Sequence, residues 1–210
     1  MTADLFGEGD DRGAEQACHE LLVRLAGRLP DAVLWRLRDW LAASSHAALS
    51  ATLPRELLRH RVGTTDEECE LLLAAVGQWG ASRRLLDAVL PVEAPDEPAA
   101  IFTPMTSEVD VAALSVLAVV RDHPGCLELS QTRRSGSGRE RDQRVVLVRG
   151  GDRPWVLAGT LQRLLRAHGD RTPCVEVLPP HGDPPAYHRA AIIASTPLWR
   201  RATAPVGAAD

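Results

Sequence analysis

CLELSQTRRSGSGRERDQRVVLVRGGDRPWVLAGTLQRLLR, residues 126–166, holds the strongest local pattern in the chain. Two apolar runs, 126–131 and 144–149, flank an Arg/Ser/Gly segment. A Gly-Gly pair follows, and then leucines at helical spacing. The pattern predicts strand, long polar hairpin, strand, tight turn and a helix over 154–168, with Asp152 near the cap and Pro154 in its first turn. A sheet, a positive charge cluster and a β–α turn therefore coincide here.

Outward from this stretch, Ala99–Thr103 is a strand candidate. Ser107 can cap an apolar helix over Glu108–Arg121, expected to be buried over much of its circumference. Cys174–Leu178 and Arg189–Ala194 read as two more strands. The order is β-α-β-β-α-β-β. Its first six elements resemble a ferredoxin-like split βαβ unit, and without the first strand it resembles a profilin- or roadblock-like sheet. Both are likenesses of element order, and neither carries a function.

Toward the amino terminus the periodicity is helical throughout. Leu21, Leu22, Leu25 and Leu29 precede Pro30, and Asp31 can cap a second helix running through Leu49. Pro54 fits the first turn of a third, which Gly63 stops. Thr65 and Glu68 form a capping box for a fourth, and Ser82 can cap a fifth. The expected class is α+β: a five-helix all-α bundle over 14–90, then an α/β-sandwich domain over 99–197. Residues 1–13 are expected to be disordered, 91–98 (PVEAPDEP) to be a linker, and 198–210 a tail. Charge follows the same division. Residues 1–98 hold 10 Arg against 17 acids, net −7, and 99–210 hold 14 Arg against 11, net +3.

All 24 basic residues are Arg; the chain has no Lys and no Asn. This excludes a Walker lysine, a Schiff-base lysine and kinase-type lysine chemistry. The acidic, polar amino terminus is unlike a secretory signal, and no apolar run reaches the roughly 20 residues of a membrane span. The expected setting is cytoplasmic. The four scattered cysteines are read as reduced, mostly buried thiols.

The candidate sites are few. Arg133, Arg134, Arg139, Arg141 and Arg144 could hold phosphate or an acidic partner. Against nucleic acid, the flanking strands carry no aromatic for base stacking. A helix-turn-helix reading of 54–79 fails on the acidic start Asp66-Glu67-Glu68. Arg149, Gly150, Gly151 and Arg153 at the β–α turn could hold an anion, unless Asp152 occupies the amides. Trp199 and Arg200 could form a docking peptide. Cys174, His181 and His188, with Cys126 or His123, are spaced more widely than the usual zinc pairs, so no metal is assigned. Cys126, at the start of an apolar strand, is an inert thiol rather than a nucleophile for His123. No catalytic residue and no cofactor is expected.

The leading expectation is a non-enzymatic adaptor or regulatory protein with protein partners, including self-association through the α+β domain. One alternative is a nucleic-acid-associated protein using the Arg hairpin. The other is a small-molecule or anion-binding enzyme at the Gly150-Gly151 turn.

Overall fold

The computed structural model describes residues 7–95, 100–106, 109–135 and 142–202. Residues 1–6, linker residues 96–98, the Ser107 cap, Arg139, Arg141 and tail residues 203–210 lie outside the described residues.

The amino-terminal part is helical: α1 (Gly7–Arg24), α2 (Asp31–Ala42), α3 (His46–Arg59), α4 (Asp66–Leu72) and α5 (Arg83–Leu86). Its core is a leucine cluster that includes Leu21, Leu25, Leu37, Leu53 and Leu72, all at most 1% exposed. Helix α1 starts seven residues before Ala14, so 7–13 are helical rather than disordered. Helix α2 ends earlier than expected, because Ser44 turns the chain through φ 51°. Ala48 and Leu49 therefore belong to α3. Pro54 lies inside α3 rather than in its first turn. The Thr65 capping box forms as expected: Glu68 N–H donates to Thr65 Oγ1 at 3.3 Å, and Thr65 N–H to Glu68 Oε2 at 3.1 Å. A π-helical turn, Leu73–Gly77, continues α4.

The start of the expected linker is fastened down. Val92 N–H donates to Thr64 O at 3.0 Å and Thr64 N–H to Leu90 O at 2.8 Å. A Cβ on Gly63 would meet Val92 Cγ1 at 2.4 Å, so any larger residue here would have to displace Val92.

The remaining elements are β1 (Phe102–Pro104), α6 (Val111–Asp122), β2 (Cys126–Arg134), β3 (Gln143–Gly150), α7 (Pro154–Ala167), β4 (Cys174–Leu178), α8 (Ala186–Ile193) and β5 (Thr196–Arg200). The expected strand at 189–194 is a helix. A short Ala/Ile run fits either period, and the buried set Tyr187, His188 and Ala191 follows the helical one. Helix α6 begins at Val111 under an Asp110 cap, its side chain accepting from Ala113 N–H at 2.8 Å.

The five strands form one mostly antiparallel sheet in the order β1-β2-β3-β4, with β5 pairing β2. Strands β2 and β3 make the predicted hairpin, Arg133 facing Arg144. Strands β1 and β5 share the outer side of β2, at Thr132–Arg134 and Glu128–Gln131 respectively. Strands β3 and β4 are parallel direct neighbours joined through α7. That βαβ unit is not split by an intervening strand, and the order establishes neither of the two named sheet types. The fold is mixed α+β, with a helical region followed by the sheet.

Both sheet faces are covered. Leu129, Val146, Val148, Val175 and Val177 pack under α6 and α7. By the two-residue alternation of strands, Val145, Leu147, Cys174 and Leu178 face the other way, against Val23 of α1 and Ala191 of α8. Helix α2 reaches both α7 and β4. At the closest point a Cβ on Gly159 of α7 would lie 2.2 Å from Ala42 Cβ. The outward edge of β4 is blocked by side chains instead of by a strand: Arg38 donates to Val175 O at 2.9 Å and His19 to Val177 O at 3.0 Å. The helical part and the sheet are thus in direct contact.

Burial decides the thiol chemistry. Cys18, Cys126 and Cys174 are buried and each is pushed up from its ordinary value, first of all by desolvation. Cys69 is the partly exposed thiol. Titration with an aromatic disulfide at pH 8 is therefore expected to label one thiol quickly in the folded protein and all four only in denaturant. Fast labelling of two or more would contradict these burials.

Candidate functional site: a cleft at the carboxyl ends of β3 and β4

Parallel strands followed by helices leave a crevice beyond their carboxyl ends, where the chain parts toward opposite sides. Here β3 ends at Gly150 and β4 at Leu178, and a cleft of about 750 Å³ opens beyond both. Gly150, Gly151 and Pro154 form one wall, and Leu178 to Pro180 with Asp183 to Ala186 form another. The wall facing the sheet comes from the helical part: Gln16, His19, Glu20, Val23 and Arg24 of α1, and Thr65, Glu67 and Glu68 at the start of α4.

Gly150 and Gly151 are required where they stand. Their φ values are 75° and 115°, and a Cβ on Gly150 would meet Gly125 O at 2.3 Å. This turn packs on the loop after α6. Gly151 N–H donates to Gly125 O and Asp152 N–H to Pro124 O, both at 3.0 Å. Those amides are occupied, and the Asp152 side chain is not what occupies them. Arg149 reaches across to Pro180 O at 3.3 Å, while Arg153, in a left-handed conformation at φ 48°, lies 5.9 Å over the Trp155 ring. The four residues of the expected anion site do not converge.

The charged side chains of the cleft are mostly paired. Arg24 donates to both Glu67 oxygens at 2.7 Å and to Glu20 at 2.9 Å. Glu68 pairs with buried Arg28, and Arg189 with Asp183 at 2.9 Å. His19 differs. It is 5% exposed, and burial, opposed by its bond to Val177 and joined by the nearby Arg38, lowers its pKa to about 4. The ring is neutral at pH 7. Because Val177 O can only accept, the proton is on Nε2 and Nδ1 is a bare acceptor. Nδ1 has no partner among the described residues.

A second polar cluster lies deeper, between α2, β4 and α8. Arg38 grips Glu176 with two bonds of 2.8 and 2.7 Å and also donates to Leu22 O. His188 Nε2 donates to Glu176 Oε2 at 2.9 Å. Burial alone raises the Glu176 carboxyl, but the Arg38 charge and the His188 bond outweigh it and bring it to about 2. Arg38, Glu176 and His188 are all at most 3% exposed, so this cluster joins the layers and is closed to a ligand.

Of the described hairpin arginines, Arg134 and Arg144 are drawn into the fold, and Arg133 stays on the surface. Arg134 pairs with Asp31 and also donates to Tyr187 Oη at 3.1 Å. Arg144 pairs with Asp110, and Arg133 lies 3.9 Å from Asp142. The first of these ties the hairpin to the acidic helical part. Trp199 and Arg200, expected in a tail, are residues of β5: Trp199 is opposite Leu129 and Arg200 pairs with Glu128 at 3.0 Å. Cys174, His181, His188, Cys126 and His123 are not gathered. Among the described residues no group of three His, Cys, Asp or Glu side chains is disposed to hold a metal ion. No described helix is long and apolar enough to cross a membrane.

The α1 and α4 wall was invisible in the sequence, because His19 and Val177 are 158 residues apart. What could have signalled it is the coincidence of Gly150-Gly151 with Pro179-Pro180 at the ends of two adjacent strands. Compared with protein-family models, curated proteins and solved structures, the chain matches none.

Proposed function

We propose that this is a non-enzymatic regulatory protein that binds a small organic molecule in the cleft at the carboxyl ends of β3 and β4. The observation that carries the reading is the cleft itself, about 750 Å³ and walled by both the helical part and the sheet. That volume is in the range of ligand sites, and the position is where open α/β sheets take ligands. A ligand there touches α1, α4, the β3–α7 turn and the segment before α8 at once. It would favour one arrangement of residues 14–90 against residues 99–197, and a partner could sense that bias. Ligand binding to the folded state raises the melting temperature by mass action. A small-molecule extract of cells is expected to raise that of the wild type by several degrees. It should leave Ala186→Trp, whose indole fills the cleft from its half-buried rim, unmoved. Equal responses, or none, would contradict the proposal.

Self-association is the second reading, favoured by one observation. Helix α6 was expected to be buried over much of its circumference, yet Val111 is 68% and Leu114 53% exposed on its outer face. Antiparallel pairing of α6 with α6 of a second copy covers this stripe and sets Asp110 of one copy against Arg121 of the other. Sedimentation is expected to show a dimer at micromolar concentration that Leu114→Glu returns to monomer. A wild type monomeric throughout that range would contradict it.

A further inference from the structure

Six prolines converge on the cleft from three parts of the chain: Pro95, Pro154, and the group Pro179, Pro180, Pro184 and Pro185. Pro179 and Pro180 are exposed and the other four half-buried, whereas Val23 and Leu178 are at most 6% exposed. What a ligand meets is therefore chiefly pyrrolidine rings, a surface that is apolar, fixed in φ and without N–H groups. The polar groups around them are already answered. Gly151 and Asp152 N–H donate to Gly125 and Pro124, Pro180 O accepts from Arg149, and Pro184 O accepts from Arg189. Pro185 O accepts from the His188 and Arg189 amides, and His19 Nδ1 is shut away from solvent. Charge balances too. Among the described residues, the carboxylates of Glu20, Glu67, Glu68 and Asp183 stand against the guanidiniums of Arg24, Arg28, Arg149 and Arg189.

We infer that the ligand of this cleft is an uncharged aromatic molecule, held by its ring against the proline wall. This rests on the reading of the cleft as a ligand site. A charged head brought inside would lose its water and find no unmatched partner, so ions of either sign are disfavoured. A proline ring polarises the C–H bonds beside its nitrogen, and these meet the negative face of an aromatic ring. The same pairing, with the sides exchanged, docks proline-rich peptides in aromatic grooves. Because the prolines are stiff, the wall stands ready before binding and little ordering entropy is lost.

The test uses the full chain at pH 7 and four probes: benzyl alcohol, benzylammonium, phenylacetate and cyclohexylmethanol. Binding is read by nitrogen-15 NMR at the amides of His19 to Arg24, Gly150, Gly151 and Ala186. Benzyl alcohol is expected to shift these signals saturably and to bind about tenfold more tightly than either ion. Its affinity should not change with added salt. Cyclohexylmethanol, of similar size but without a π face, is expected to bind about threefold more weakly. Pro179→Ser with Pro180→Ser, both exposed, is expected to lose most of that aromatic preference. An ion or cyclohexylmethanol binding as tightly as benzyl alcohol, or a double variant that keeps the preference, would overturn the ligand assignment and leave the cleft a ligand site. No saturable shift there with any probe would overturn both.

Discussion

Glu176→Gln is expected to cost about 3–5 kcal/mol of folding stability, the usual result of taking one partner from a buried ion pair. The loss comes less from the bonds that vanish than from what stays behind. Arg38 is 3% exposed and has no second carboxylate within reach among the described residues, so its charge is left in the interior uncompensated. Urea unfolding should show the midpoint falling with an unchanged slope. Replacing both partners together, Arg38→Met with Glu176→Leu, is expected to cost less than the single change, because no bare charge remains. A loss below about 1 kcal/mol for Glu176→Gln would show that Arg38 finds water or another partner.

The same carboxylate sets an acid limit. Its pKa in the fold, about 2, is below the roughly 4.3 of an unfolded glutamate. A depressed carboxyl stabilises the fold fully above the unfolded value and loses that contribution as pH falls toward the folded one. Unfolding between pH 4 and 2 should therefore be shallower in Glu176→Gln than in the wild type.

Gly159→Ala is expected to lower the melting temperature by several degrees, against the general helix preference for alanine. The new Cβ would stand 2.2 Å from Ala42 Cβ, so α2 and α7 must part at the contact that joins the helical layer to the sheet. Overpacking of this kind costs about 1–3 kcal/mol, more than the roughly 1 kcal/mol that alanine gains over glycine within a helix. Gly13→Ala in α1 is the matched control, since nothing lies within 4 Å of its added Cβ. It should raise the melting temperature. Two shifts of the same sign would mean that the α2–α7 contact is not close-packed.

These two positions also mark how far the sequence could be read. The hairpin 126–150, helix α7 and the Thr65 capping box were legible because each is fixed by neighbours in the chain: a period of two, a proline at the first turn, a hydroxyl three residues before a carboxylate. Helix α8 was not, because the five apolar residues after Arg189 fit both periods and only the burial of Tyr187 and His188 before them decides. The ends of α2 and α3 were missed for a related reason. Ser44 adopts a left-handed turn that glycine usually signals, and Pro54 stands inside a helix where proline usually marks a boundary. Arg38, Glu176 and Gly159 look ordinary along the chain. Their importance arises from partners more than 100 residues away, as does the wall that α1 gives the cleft.

The most direct test of the ligand site is native mass spectrometry of the protein after incubation with a small-molecule cell extract and removal of the excess. One retained non-covalent adduct is expected, at one copy per chain, carried by the wild type and absent from Ala186→Trp. A wild type that emerges with no adduct, or an adduct that Ala186→Trp keeps, would contradict it.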